Sequence, residues 1–448
     1  MKALRLIFSL LWVAFLADAE AVELSADGTG SVLIFPVLSA ENGLDTLINV
    51  HNVSDDAVVV RAVVRDGVTG QATLTLRILF RPRDTWVGTW AGGYADGPLM
   101  LDFDDSCVAG REPVDIEFFS ARAFRPVAPS GQAWLEVFEL GALPRDLSRL
   151  AAPGSCGDFL DLSRVSLDPA DNRLSGDSQL VSVFEGFNTS VAPTALMDLG
   201  FPAEVAPLSV DRPNLSHAQP VARISGIVTR WANGIDAVSA VLAVRAVEAP
   251  FNVEPAIDAR SDLVVTLPTR PFYDATDRAP FLVNTDPRRV EQGQRVMLDA
   301  FDRSGDVLGL STVKCSPARP SLPVGAVISE PQLNLSFGRA SIVPTSDTEP
   351  ASVRGVSLCA NLIPLPVRDV AKSGQFRLNL DAFEAVSEGG WLVKGLPLIP
   401  VTLTVVQNRS LVDNFGNQVL SNYGMRITQR IVRSIPERPR PIPQNSAY

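Results

Sequence analysis

The amino-acid sequence predicts a mainly β protein made of two β-sandwich, immunoglobulin-like domains, the second with one helix inserted. Three observations lead there. Apolar and polar residues alternate over short runs, Gly, Pro and Asn turns separate those runs, and a proline-rich stretch divides the chain near its middle.

Residues 1–21 stand apart as a signal peptide. Lys2 and Arg5 precede an apolar run from Leu6 to Leu16 that ends in Ala19-Glu20-Ala21, and this order of features describes a cleavable secretory signal cut near Ala21. The run is too short to span a bilayer comfortably, and no cysteine sits beside the cut to carry a lipid. The chain is therefore expected to be secreted, periplasmic or held at the cell surface.

The first domain is expected over 22–191. In Thr73–Phe80 the residues Leu74, Leu76, Ile78 and Phe80 fall on one face of a strand. In Val58–Arg65, Arg61 and Arg65 lie opposite Val58, Val60, Ala62 and Val64. Asp66-Gly67-Val68-Thr69-Gly70 between these runs reads as a hairpin connection. Further strands are expected at Ser31–Leu38, Asp45–Val53, Thr85–Trp90, Val114–Ser120 and Trp134–Leu140.

Pro193, Pro202, Pro207, Pro213 and Pro220 interrupt any regular ladder or helix, so a connector is expected over 192–220. A C-terminal β-rich domain follows over 221–434. It opens with a strand at Val221–Trp231. After the Asn233-Gly234 turn, Ile235, Val238, Leu242 and Val247 recur at roughly helical spacing, which predicts a helix over Ile235–Glu248. Alternation resumes at Asp262–Leu267, Arg295–Ala300, Gly355–Leu362 and Pro400–Val406. Pro317–Pro331 and the tail 435–448 are rich in proline, and the tail is expected to be disordered.

Composition narrows the function. The 448 residues carry a formal charge of −11, which disfavours nucleic acid, whose phosphates demand a basic face. An apolar content of 46% argues for folded domains. No later apolar run is long enough for a transmembrane segment. The four cysteines fall into two pairs, Cys107 with Cys156 and Cys315 with Cys359, and in an oxidising compartment each pair is expected to form a disulfide, although three connectivities are possible. C-x-x-C spacing for redox or metal chemistry is absent.

Several stretches resemble a family of secreted bacterial proteins with no assigned function. They open with Gly28-Thr29-Gly30 leading into Val32-Leu33-Ile34-Phe35-Pro36, then Asp45-Thr46-Leu47-Ile48 and Asp84-Thr85-Trp86. Trp134–Glu139, Asp236–Val241, Asp262–Thr269, Ser357-Leu358-Cys359 and Gly389-Gly390-Trp391 complete the likeness. The resemblance implies export and a β-rich fold, and implies no catalytic residue.

Catalytic chemistry is poorly supplied. His51 and His217 are the only histidines, and triads and zinc sites need partners around a histidine. Ser311-Thr312-Val313-Lys314 fits an S-x-x-K pattern but lacks the partner motifs of serine acyl-enzymes. Glu136 and Glu139 are a conceivable glycosidase pair, yet stand on opposite faces of one strand. Asp102, Asp104 and Asp105 offer oxygen ligands for calcium, with a solvated turn before Cys107 as the plainer reading. Trp86, Trp90 and Tyr94 suggest a sugar-stacking platform, or core packing. The expected function is an exported non-catalytic cell-envelope or extracellular protein with a structural or binding role, its partner an envelope protein or glycan. The alternatives are an extracellular polysaccharide-binding protein and a carboxylate-dependent glycoside hydrolase.

Overall fold

A computed structural model describes residues 20–40, 43–67, 70–94, 96–110, 113–114, 121–127, 131–147, 166–183, 186–201, 212–252, 259–273, 279–281, 294–306, 332–335, 339–345, 362–366, 373–381, 383–407, 414–415 and 422–438. The fold is mainly β, as expected. Thirteen strands form the first half: β1 (Glu23–Leu24), β2 (Val32–Ser39), β3 (Leu44–Asn52), β4 (Val58–Asp66), β5 (Ala72–Phe80), β6 (Thr85–Ala91), β7 (Leu99–Asp102), β8 (Cys107–Ala109), β9 (Arg122–Phe124), β10 (Gln132–Ala142), β11 (Leu174–Ser182), β12 (Phe187–Val191) and β13 (Thr194–Met197). They make a seven-stranded sheet in the order β1-β13-β2-β10-β4-β5-β8 and a six-stranded sheet in the order β12-β11-β3-β6-β7-β9.

One apolar cluster joins these sheets face to face. Leu33, Phe35, Val60, Leu76 and Val137 enter it from the first sheet, and Ile48, Val50, Trp86, Trp90 and Met100 from the second. The alternation read along Thr73–Phe80 is therefore the physical basis of the packing, because residues two apart share a face. In β2, β4 and β10 every described residue is buried. Both faces of these strands are covered, which is why they read as nearly continuous apolar runs such as Val32-Leu33-Ile34-Phe35.

The second half supplies that second cover. Val221–Ile224 (β14) and Ile227–Arg230 (β15) pair as a hairpin. Ser225 and Gly226 both take positive φ, of 50° and 79°, as a two-residue hairpin loop of the right twist requires. The single strand expected over Val221–Trp231 is thus two strands. A helix, α1 (Gly234–Leu242), follows with Asn233 as its N-cap, whose side chain accepts from the Asp236 N–H. The helix stops six residues earlier than its apolar spacing suggests. Ala243–Asn252 instead forms β16, paired with β22 (Ser373–Asn379) and β28 (Arg430–Arg433). A short apolar run fits both periods, and two waiting strand partners decide the outcome.

The remaining strands are β17 (Ala259–Thr266), β18 (Gln294–Asp302), β19 (Gln332–Leu335), β20 (Arg339–Thr345), β21 (Leu362–Pro366), β23 (Glu384–Val386), β24 (Leu392–Lys394), β25 (Leu396–Pro397), β26 (Ile399–Gln407) and β27 (Asn422–Arg426). A six-stranded sheet runs β19-β18-β22-β16-β25 with β28 also on β16, and a five-stranded sheet runs β21-β20-β17-β26-β27. Their apolar faces share a cluster with α1. Val32, Ile34, Trp134 and Phe138 of the first half, Val238 and Leu242 of α1, and Val247, Leu263 and Phe376 belong to it together.

Several expectations need correcting against this fold. The disulfide framework assigned to Cys107, Cys156, Cys315 and Cys359 is not seen here: no two cysteine sulfurs stand at bonding distance among the described residues. Cys156, Cys315 and Cys359 lie outside those residues. Cys107 is buried in a cluster with Ala57, Val59, Leu79 and Leu140. Arg61 and Arg65 do occupy the face opposite Val60 and Val64, but that face is covered by the second half and both are buried.

Within the stretch read as a connector, Thr194–Met197 forms β13 and pairs with both β1 and β2. Residues 194–201 contain no proline, which leaves room for one short strand. At the other end, Glu437 forms an isolated bridge with Leu392, and Arg438 lies over the Trp391 ring at 4.9 Å. Outside the described residues lie 1–19 of the signal, 115–120 of the strand expected at Val114–Ser120, Ser311–Lys314, Pro317–Pro331, Gly355–Asn361 and tail residues 439–448.

Candidate functional site

The residues singled out from sequence come first, because the fold separates them. Trp86 and Trp90 point from β6 into the core between the two sheets of the first half, and both are fully buried. Their indole N–H groups are satisfied there: Trp86 Nε1 donates to Asp102 Oδ1 at 3.1 Å and Trp90 Nε1 to the Gly131 carbonyl at 3.3 Å. Rings so placed cannot stack on a sugar. Tyr94, beyond the strand end, is half-buried.

The three aspartates diverge. Asp102 is buried, 2.7 Å from Nη2 of Arg122, and accepts from the Asp104 backbone N–H at 3.1 Å. Burial pushes its carboxyl up to about 6, against the pull of Arg122 and of these hydrogen bonds. Asp104 Oδ1 accepts from the Ser106 N–H at 2.6 Å, and the exposed Asp105 pairs with Arg81. Among the described residues no cluster of three or more carboxylate, histidine or cysteine side chains converges to hold a metal ion. The calcium reading has no geometry behind it.

Glu136 and Glu139 leave β10 into separate surroundings, and both are completely buried. Glu136 accepts from Arg65 Nε at 2.7 Å and from Trp134 Nε1 at 3.1 Å. Glu139 accepts the backbone N–H groups of Asp171 and Arg173 at 3.0 and 2.9 Å and Arg173 Nη1 at 2.7 Å. Burial nonetheless raises the Glu139 carboxyl above its ordinary range. Each is a polar clamp inside the protein, and the two do not face one cleft.

His51 has partners that no spacing announced. On the outward face of the six-stranded sheet its Nδ1 lies 2.8 Å from Thr85 Oγ1 and its Nε2 3.3 Å from Asp177 Oδ2. The order acid, imidazole, hydroxyl is that of a hydrolase triad. A triad also needs free N–H donors for the oxyanion. Here β3 is flanked on both sides by β6 and β11, and the Thr85 N–H is taken by Asp84 Oδ1 at 3.0 Å. The arrangement is a cross-strand polar pair extended by Asn49, which donates to Asp177 at 2.9 Å. His217 sits in a short turn after the cis Arg212-Pro213 bond, its Nδ1 3.0 Å from Asn214 Oδ1. Burial, with Arg212 and Arg61 nearby, holds its imidazole below the usual range.

What the fold does bring together is a cavity of about 280 Å³ along one face of α1. Trp231, Pro280 and Val393 supply apolar wall, and Asp236, Ser239, Tyr273, Ser387 and Glu388 supply polar groups. Tyr273 organises the floor: its buried hydroxyl donates to Asp236 Oδ1 at 2.7 Å and lies 3.0 Å from Ser239 Oγ. Trp231 Nε1 donates to Thr229 Oγ1 at 2.9 Å, which fixes the ring. On the rim, Glu388 Oε2 lies 3.4 Å from Arg230 Nε.

An amphipathic recess of this size suits one small polar ligand with an apolar face. Sequence reading placed a helix after the Asn233-Gly234 turn but not these side chains. Asn233-Gly234-Ile235-Asp236 carries the N-cap signal, whereas nothing in the spacing brings Tyr273 or Ser387 to the same place. No protein-family model and no curated protein matches this chain.

Proposed function

We propose that the chain is an exported, non-catalytic β-protein of the cell envelope or extracellular space, with a structural or binding role toward an envelope protein or glycan. In the finer reading its halves are immunoglobulin-like sandwiches, and it belongs with the secreted bacterial proteins that share the Gly28–Pro36 pattern. The observation that carries the reading is the fate of the acidic groups. Glu136, Glu139 and Asp102 are buried and each is held by an arginine, so these three carboxylates serve to lock strands together. The apolar cluster shared by both halves supports a rigid body.

The cavity beside α1 supports the binding side of this role. A small polar ligand in this cavity would meet Asp236, Ser387 and Glu388, with the edge of the buried Trp231 ring in its wall. The test is fractionation of native cells followed by crosslinking and glycan binding. The reading expects recovery outside the cytosol, in crosslinked complexes or bound to glycan, with binding weakened by Glu388→Ala on the exposed rim of the cavity. Recovery solely as a soluble monomer with hydrolytic activity would refute it.

A further inference from the structure

We infer that the leader is removed between Ala19 and Glu20, so that the mature chain begins at Glu20 and not at Val22. Two sites of the small-x-small kind overlap in the sequence, Ala17-Asp18-Ala19 and Ala19-Glu20-Ala21, and either satisfies the rule for signal cleavage. The spacing does not choose between them; burial does.

Glu20 is exposed, Ala21 is 1% exposed and Val22 is 0% exposed. The Val22 N–H donates to the Val221 carbonyl at 2.9 Å, and the Arg223 N–H donates to the Val22 carbonyl at 2.9 Å. Val22 thus bridges β14 in parallel at Ala222, and the next two residues pair with β13. Its side chain belongs to the apolar cluster that unites the two halves. Residues 21–24 are a strap built into the junction.

A cut after Ala21 would convert the Val22 amide into an α-ammonium at a fully buried position. Desolvating a charge there is costly, and a lone carbonyl acceptor does not compensate it. The same cut would also empty the packed site of Ala21. Cutting after Ala19 places the ammonium on exposed Glu20, in water, and keeps both buried residues. Access points the same way. Once β14 has docked, the Ala21–Val22 bond is sealed, whereas the chain at Glu20 still reaches solvent.

The inference rests on the export reading, and the experiment separates the two. The full chain is expressed in a bacterial host with an intact export pathway, and the product is fractionated and its N-terminus sequenced. A processed, exported chain starting at Glu20 is expected. An exported chain starting at Val22 overturns the inference and leaves export standing, and an uncut chain retained in the cytosol overturns both. Independently, chains trimmed by a site-specific protease to begin at Glu20 or at Val22 are compared by thermal unfolding. The Val22 form is expected to melt several degrees lower, and equal midpoints would sink the physical argument.

Discussion

Arg65 and Glu136 form a buried ion pair across the β4–β10 ladder, Nε to Oε2 at 2.7 Å, beneath the second half of the chain. The Arg65 guanidinium also lies 5.1 Å from the centre of the Phe272 ring, and its Nη1 donates to the Gly70 carbonyl at 3.2 Å. The pair therefore ties the first sheet to residues of the second half at a dry surface. Removing one partner leaves a buried charge unpaired. Arg65→Met and Glu136→Gln are each expected to cost about 3–5 kcal/mol in urea unfolding. The double substitution should cost less than the sum of the two.

Asp102 predicts a specific pH dependence. Its carboxyl sits at about 6 in the native protein against 3.8 for the unperturbed group, so the folded state binds the proton more tightly. Between these values the native state carries more bound proton than the unfolded chain, and stability must fall as pH rises through the window. Relative to Asp102→Asn, the wild-type chain should lose about 3 kcal/mol in all as pH rises from well below 3.8 to well above 6. Denaturation at a series of pH values checks this, and parallel curves for the two proteins would contradict it.

Gly234 begins α1, where alanine would ordinarily be the better helix former by about 1 kcal/mol. A Cβ at this position meets the backbone carbonyl of Ala218, which cannot move aside as a side-chain end can. Gly234→Ala is therefore expected to destabilise by about 1–3 kcal/mol, the reverse of the propensity effect. Chemical unfolding gives the sign directly.

The Tyr273 hydroxyl holds Asp236 and Ser239 in the cavity floor. Tyr273→Phe removes the donor and leaves the ring, so a loss of about 1–2 kcal/mol is expected. If the cavity takes a polar ligand, the same variant should also bind it more weakly.

Calcium should leave the unfolding midpoint unchanged. A cation that binds only the native state raises stability in proportion to the logarithm of its concentration over the dissociation constant. Asp102, Asp104 and Asp105 are already engaged by Arg122, the Ser106 N–H and Arg81. A calcium-dependent rise abolished by Asp104→Asn would reverse this conclusion.

Strand content was legible where one face met the core. Thr73–Phe80 and Asp45–Val53 were recognisable because alternate residues are apolar, and they appear as β5 and β3 within a residue at each end. Leu174–Ser182 escaped notice: its run of Ser, Gly, Asp and Gln has little apolar alternation, and pairing with β3 and β12 makes it a strand. The helix was visible in its start and not in its end, since Ala243–Asn252 suits either period until β22 and β28 flank it.

The cavity was illegible for a different reason. Tyr273 and Ser387 are far along the chain from Trp231 and Asp236, and only the docking of β23, β24 and the Tyr273 turn against α1 makes them neighbours. Conversely, Trp86 and Trp90 share a strand face in both readings, and what differs is whether another sheet covers it.

Local alternation, turn residues and the helix cap follow from the chain's own covalent order, because periods of two and of 3.6 residues are short-range geometry. Which face is covered is a matter of long-range contact. The same alternation that places Arg65 opposite Val64 leaves that arginine either in water or under the second half of the protein. Its burial against Glu136 and Phe272 was settled when two apolar sheet faces met, since removing both from water outweighs leaving one charge pair solvated.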